Sequence, residues 1–358
     1  MDKAGIDRLY MQRCLDLARG GIGKTGMNPL VGAIIVSRDG FIAGEGFHLR
    51  EGGDHAEVKA LNEVKDADKI KGGTLYVNLE PCSHHGKTPP CTDAVSSTQL
   101  KRVVVANTDP DPKVKGKGLS LLEERGFEVE AGVMQEEGLK LNEDYFISRV
   151  WQRPKVVLKW AQSADGFIAD ENFNSKWLSN TLSRQLVHKW RFESDAIMVG
   201  TNTIEKDDPA LTVRDWAPKK TIRVGIDEEL SLSRDLKFFN RELPTILFTK
   251  KEDYIKGNLK VKQVKSWDGD FNQEVLKVLY EEGIKTLFIE GGTQLLNSFI
   301  ARGLWDEVRV FHTSKLLKKG VEAPAIGGEP IGGQQIGNDL LRVFRQPENY
   351  RTLTKAAL

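Results

Sequence analysis

The stretch His55-Ala56-Glu57-Val58-Lys59-Ala60-Leu61, followed by Thr74-Leu-Tyr-Val-Asn-Leu79-Glu-Pro-Cys82-Ser-His-His-Gly-Lys-Thr-Pro-Pro-Cys91, decides how this chain is read. Over 55–64, Ala56, Val58, Ala60, Leu61 and Val64 recur at helical spacing. Residues 74–79 form a short run rich in β-formers, which predicts a strand. An imidazole, a carboxylate and two thiols therefore fall at strand–helix junctions. Working outward, the alternation continues. Met11, Cys14, Leu15 and Ala18 mark an N-terminal helix, and 31–37 is a β-branched run. Helical patterns at 91–100 and 118–126 flank a strand at 102–107, and 127–133 reads as a further strand. One long helical stretch over 135–151 carries the chain out. This is an α/β layered pattern.

At Trp151-Gln-Arg-Pro154 the pattern restarts. Strands are expected at 155–163, 196–200, 221–227, 244–249, 286–292 and 307–312, with helices at 183–194 and 272–283. The Gly-rich stretch 317–334 reads as a surface loop. Two α/β domains are thus expected, 1–150 and 151–358, without internal repeats.

Composition excludes several classes. The 358 residues, 39% of them hydrophobic, can bury two cores and are too apolar for a disordered chain. No apolar run approaches the ~18 residues of a membrane span, and the N-terminus lacks a secretory signal. Lys+Arg 52 against Asp+Glu 51 leaves net +1, without the basic surplus of a general nucleic-acid binder. Three cysteines are a poor basis for a disulfide framework. We therefore expect a cytoplasmic protein with no membrane or nucleic-acid partner, in which the cysteines near histidines hold metal.

His55, Cys82 and Cys91 are suitable Zn²⁺ ligands, and three protein ligands leave a fourth position for water. Zinc lowers that water's pKa to ~7. Glu57, near a ligand but not one itself, can move the proton as a general acid–base. A closed structural site, with His84 or His85 added, is the alternative; it leaves His-Ala-Glu without a role. The pattern H-x-E…P-C-x-x-C marks zinc nucleobase deaminases. The first half fits, but eight residues, not two, separate Cys82 from Cys91.

Asn28-Pro-Leu-Val-Gly-Ala, the His55 motif and Leu79-to-Cys91, long insert included, resemble the deaminase domain of the RibD family of bifunctional riboflavin-biosynthesis enzymes. The second half resembles the family's reductase domain from about residue 154 to 312. The motifs there are Lys159-Trp-Ala161-Gln-Ser-Ala-Asp-Gly, Ser175-Lys-Trp177, Arg191 through Thr203, Asp207, Leu211 and Arg214, and Glu290-Gly-Gly-Thr-Gln-Leu-Leu296. The resemblance implies a cytidine-deaminase-like α/β/α domain followed by a dihydrofolate-reductase-like α/β domain. It implies zinc on His55, Cys82 and Cys91, with Glu57 shuttling protons during deamination of a phosphorylated diaminopyrimidine ribotide. Asn28, a turn residue by position alone, then meets the pyrimidinone, and Lys87 or Lys113 is a candidate for its phosphate. NADPH is expected on Ala161, Trp177, Thr203, Asp207 and the turn Gly291, Gly292, Thr293, Gln294, Leu295 and Leu296. Substrate is expected on Ser175, Arg191, Leu211, Arg214 and Glu290, with Asp207 or Lys159 assisting proton transfer. Glu228 stands where relatives often carry a small hydroxyl, and a carboxylate there is unfavourable beside a 2′-phosphate. A homo-oligomer is also implied.

Overall fold

The computed structural model describes residues 2–85, 89–112, 114–171 and 178–356, which include neither Lys87, Lys113, Ser175 nor Trp177. The chain divides into two compact units, Met1–Gln152 with Arg351–Leu358, and Arg153–Tyr350.

The first unit runs α1 (Lys3–Ala18), β1 (Gly32–Val36), β2 (Ile42–Phe47), α2 (Ala56–Asn62), β3 (Thr74–Leu79), α3 (Cys91–Ser96), β4 (Arg102–Asn107), α4 (Lys117–Glu124), β5 (Glu128–Ala131), α5 (Gln135–Leu141) and α6 (Glu143–Trp151). Its sheet has the order β2-β1-β3-β4-β5. The pairs β1–β2 and β1–β3 are antiparallel, while β3–β4 and β4–β5 are parallel. Side chains alternate across it with period two. Ala33, Ile35, Val77, Val103 and Val105 pack with Ala56 and Ala60 of α2 and Val95 of α3. Ile34, Val36, Tyr76, Val104 and Ala106 pack with Met11, Cys14 and Leu15 of α1. The central strands are buried on both faces, which makes an α/β/α sandwich and explains their unbroken apolar runs.

Two features depart from the sequence reading. Strand β2, Ile-Ala-Gly-Glu-Gly-Phe, carries no apolar alternation. Its glycines let α2 lie against the strand: a Cβ at Gly44 would sit 2.1 Å from the Ala60 carbonyl oxygen, and one at Gly46 2.5 Å from that of Ala56. The expected single helix over 135–151 is two helices, broken at Asn142 (φ −108°, ψ 22°). The buried Asn142 amide explains the break. It accepts from Leu30 N–H (2.7 Å) and donates to Leu30 C=O (2.9 Å), fixing the segment that enters β1.

The second unit runs β6 (Lys155–Gln162), β7 (Phe167–Ala169), α7 (Thr181–Glu193), β8 (Ala196–Val199), α8 (Thr201–Asp207), β9 (Ile222–Ile226), β10 (Thr245–Thr249), β11 (Tyr254–Lys256), β12 (Leu259–Gln263), α9 (Phe271–Glu281), β13 (Thr286–Gly291), α10 (Thr293–Ala301), β14 (Glu307–His312), β15 (Val321–Glu322), β16 (Gly332–Ile336) and β17 (Asp339–Arg345), and α11 (Pro347–Ala356) ends the chain. The main sheet has the order β11-β12-β10-β9-β8-β13-β6-β14-β17-β16. From β12 to β14 the neighbours are parallel, and antiparallel strands close both edges. On one face Val156, Leu158 and Trp160 meet Leu276 of α9 and Phe299 of α10; on the other Val157 meets Trp190 of α7. The Gly-rich stretch 317–334 is not all loop: β15 pairs with β7, and β16 begins within it. No helix among the described residues is long and apolar enough to cross a membrane.

Candidate active sites

In the first unit three junctions converge. His55 caps α2 with extended backbone (φ −70°, ψ 161°), which leaves its ring outside the helix. Cys82 follows β3 by three residues, and Cys91 opens α3. His55 Nδ1 lies 3.1 Å from Cys91 Sγ and 3.6 Å from Cys82 Sγ, and Cys91 N–H donates to Cys82 Sγ at 3.3 Å. The three ligand atoms lie within 4.8 Å of one another. One imidazole and two sulfurs facing one point are a zinc donor set, and the residues present fit that ion. Hydrogen bonds from the Cys91 thiol and from His55 pull the Cys82 thiol down, while the Cys82 sulfur pushes Cys91 up. Sharing of one proton between two sulfurs is what a cation at this point replaces.

Glu57, in the first turn of α2, is 3% exposed, and burial raises its carboxyl above the ordinary range. It lines a cavity of about 290 Å³ with His55, Cys82, Asn28 and His84. His48 Nδ1 faces the Asp54 carbonyl at 3.2 Å, so that N–H donates there and leaves Nε2 to accept from the Asn28 amide at 3.0 Å. That contact sets the Asn28 amide with its nitrogen toward His48. His85 is exposed and is not part of this wall.

The sequence reading missed the opposite wall. Asp109 is buried and accepts from the Tyr145 hydroxyl (3.0 and 3.2 Å), and burial pushes its carboxyl up to about 6. Arg149 lies one helical turn beyond Tyr145, its guanidinium 5.1 Å from the ring centroid. A signal existed for Asp109: it follows β4, parallel neighbour of β3, at the carboxyl edge where α/β sheets gather ligands. Tyr145 and Arg149 sit on a helix face with nothing in sequence to single it out.

In the second unit two motifs meet at another carboxyl edge. Strand β8 passes through Gly200 into α8, and β13 passes through Gly291 and Gly292 into α10. Gly292 has φ +82°, and a Cβ there would stand 3.5 Å from Thr203 Oγ1 and 3.6 Å from Gly200 Cα. The first N–H groups of α10 point out of this turn, and the buried Thr293 hydroxyl has no hydrogen-bond partner among the described residues. Such a cradle of glycine backbone, helix start and orphaned hydroxyl fits the pyrophosphate of a dinucleotide such as NADPH. Leu295 and Leu296 point their side chains into the core, so their share in any such contact is through backbone.

Arg191 and Glu290 come together as a two-pronged, nearly buried ion pair. Arg191 Nη2 donates to Glu290 Oε2 at 2.8 Å, and Nη1 donates to the Thr212 carbonyl at 3.0 Å. Burial favours the neutral carboxyl, yet Arg191 draws Glu290 below the usual carboxylate range. Lys159 is lowered by burial, against the pull of Glu290. Leu211 is buried at φ +49°, and the Arg214 backbone N–H meets His188 Nδ1 at 3.4 Å while its side chain stays 60% exposed. Asp207 is exposed at the last residue of α8, and Ala161 packs beside Trp190 and Phe311. Glu228 is engaged in an ion pair by Lys250.

Two family models match: the cytidine and deoxycytidylate deaminase zinc-binding region over 5–107, and the RibD C-terminal domain over 154–341. The riboflavin biosynthesis protein RibD of Aquifex aeolicus is 42% identical over 95% of this chain and 99% of its own length. The chain belongs to the RibD family. The Escherichia coli RibD protein is 36% identical, covering 87% of this chain and 88% of its own. A crystal structure of a diaminohydroxyphosphoribosylaminopyrimidine deaminase/5-amino-6-(5-phosphoribosylamino)uracil reductase from Thermotoga maritima superposes with a TM-score of 0.87 at 34% identity, over 96% of this chain and 99% of that one. With the family come two activities of riboflavin biosynthesis, a deaminase and a reductase, with Zn²⁺ and NADPH as cofactors and a phosphorylated pyrimidine as substrate. The expected deaminase-like and reductase-like α/β folds follow in that order.

Proposed function

We propose that residues 1–150 carry the deaminase centre and 151–358 the reductase. His55, Cys82 and Cys91 hold zinc, Glu57 moves the proton, and Asn28 contacts the pyrimidinone. The observation that carries this is the convergence of one ring nitrogen and two sulfurs at the wall of a cavity that the buried Glu57 also lines. Zinc bound there lowers the pKa of its water to ~7. Glu57 accepts a proton from the attacking water and passes it to the departing amine, and burial raises its carboxyl above the ordinary range, the direction that favours giving the proton back. The bond made is carbon to oxygen at the 2-amino carbon of 2,5-diamino-6-ribosylamino-4(3H)-pyrimidinone 5′-phosphate. The bond broken is carbon to nitrogen, and ammonia leaves.

In the second unit, the Gly291–Leu296 turn with Thr203 and Ala161 holds NADPH, which supplies a hydride to C1′ of the ring-opened ribosyl group. The Arg191–Glu290 pair fixes the floor of the substrate site, with Leu211 lining it, and the exposed Arg214 side chain faces the phosphate. Lys159, its ammonium disfavoured by burial and balanced by Glu290, is better placed than the exposed Asp207 to give up the proton that accompanies hydride transfer. Asp207 remains on the cofactor side. The same reading extends to a cytoplasmic enzyme with neither nucleic-acid nor membrane partners, in keeping with net charge +1. It extends to a homo-oligomer too, supported by Phe41 and Ile42, 73% and 44% exposed beside edge strand β2.

The test is Glu57→Gln. The variant keeps one zinc per chain by metal analysis and loses ammonia release by about 10²- to 10⁴-fold, the usual contribution of a positioned general acid–base. Near-normal ammonia release would remove Glu57 from the chemistry.

A further inference from the structure

We infer that Arg149 recognises the phosphate of the pyrimidine substrate at the deaminase centre. This rests on placing that centre at His55, Cys82 and Cys91, and it adds the group that holds the far end of the substrate.

The substrate carries a phosphate of about −1.5 to −2 charge at neutral pH. Several carboxylates line the cavity, among them Glu51, Glu57, Glu80 and Asp109. A dianion entering such a pocket needs a fixed cation. Among the described residues lining the cavity, Arg149 is the one arginine, and no lysine joins it. Its guanidinium lies over the Tyr145 ring at 5.1 Å. Tyr145 is itself 5% exposed and tied through its hydroxyl to Asp109. Arginine's planar fork of N–H donors matches a phosphate bidentately, and contact with a buried ring limits the positions it can take.

Two neighbouring carboxylates are engaged by partners of their own, which leaves Arg149 as the cation that offsets them. Glu80 is occupied by three backbone N–H groups, those of Asp109 (3.0 Å), Gly116 (2.9 Å) and Gly118 (2.8 Å). Asp109 accepts the Tyr145 hydroxyl at 3.0 Å and the Asp111 backbone N–H at 2.9 Å. Tyr145 and Arg149 are spaced i and i+4 on α6, so one helix face carries both the platform and the cation.

The experiment compares ammonia release from the phosphorylated ribotide and from its dephosphorylated nucleoside, in the full-length zinc enzyme and in Arg149→Gln, Arg149→Lys and Lys87→Ala. In Arg149→Gln, KM for the phosphorylated substrate rises about 10- to 100-fold, as expected for loss of a charge-assisted contact. The preference for phosphorylated over dephosphorylated substrate falls by the same factor. Inorganic phosphate, a competitor for the parent enzyme, inhibits the variant correspondingly less. Arg149→Lys recovers part of the loss, because it restores charge without the fork. One zinc per chain by metal analysis and a thermal midpoint equal to the parent's report that the deaminase unit of each variant is folded. An unchanged KM in Arg149→Gln, an equal loss on both substrates, or collapse of the preference in Lys87→Ala alone would overturn the inference. Glu57→Gln separates the two levels: it abolishes ammonia release from both substrates when the centre is correctly placed, and retained release would overturn the centre and this proposal together.

Discussion

Replacing Glu290 by Ala tests the reductase half through its buried charge. The Glu290 and Arg191 side chains are 9% and 14% exposed, and the pair is two-pronged. Removing the carboxylate leaves a guanidinium nearly buried, with the Thr212 carbonyl at 3.0 Å as the acceptor it keeps. Breaking such a pair costs about 3–5 kcal/mol. The surviving carbonyl contact favours the lower end, about 3 kcal/mol. For a unit of about 200 residues, each kcal/mol lowers the midpoint by about 2–4 °C. The expected drop is therefore about 6–12 °C, read by thermal unfolding at pH 7. The pH dependence gives a second check. Arg191 holds the Glu290 carboxyl below its ordinary 4.5. A depressed carboxyl contributes stability that is fully present above its unfolded pKa and is lost as pH falls through its folded one. The gap between parent and variant should thus be complete at neutral pH and shrink in acid. A midpoint within about 1 °C of the parent, or a gap that stays constant into acid, would refute this account of the pair.

Asp109→Asn carries the opposite sign. Burial raises this carboxyl from 3.8 to about 6, so the folded state loses stability as pH climbs through that window, by up to about 3 kcal/mol at pH 7. Asn keeps an acceptor for Tyr145 and cannot ionise; the variant should be at least as stable as the parent at pH 7, with its advantage closing by pH 4, and a parent clearly more stable at pH 7 would contradict this. Asn142→Ala strips the partner from Leu30 N–H, while Leu30 C=O keeps the Asn78 amide at 2.9 Å, and should cost about 1–3 kcal/mol by denaturant titration at unchanged m-value; a loss under about 0.5 kcal/mol would mean that the α5–α6 break has another cause.

The legible parts of this molecule were those where one residue type serves one purpose. Strands β3 and β4 are buried on both faces, so their apolar runs announced them, and both expected spans coincide with the observed ones. The metal cluster was legible because thiolate and imidazole at strand–helix junctions have few other uses. Strand β2 was hidden because close packing on α2 requires glycine where a strand normally shows β-branched residues. The break at Asn142 was hidden because its cause, the Leu30 backbone, is 112 positions away in the chain. The wall formed by Asp109, Tyr145 and Arg149 escaped for the same reason: three ordinary residues become a site when β4 and α6 line one cavity. In the second unit no G-x-G-x-x-G was present, and the cradle came from two separate turns, at Gly200 and at Gly291–Gly292. Family resemblance supplied there what spacing could not.

The central claim is that one chain runs two chemistries in sequence, deamination on the first unit and reduction on the second. The direct measurement follows ammonia release and nicotinamide absorbance together, with the zinc-loaded protein, the diaminopyrimidine ribotide, and NADPH either present or withheld. The account predicts ammonia in both cases, absorbance loss only after deamination has begun, and persistence of NADPH oxidation from pre-deaminated substrate in Glu57→Gln. Absence of ammonia from zinc-loaded protein, or NADPH oxidation that ignores whether the substrate has been deaminated, would contradict it.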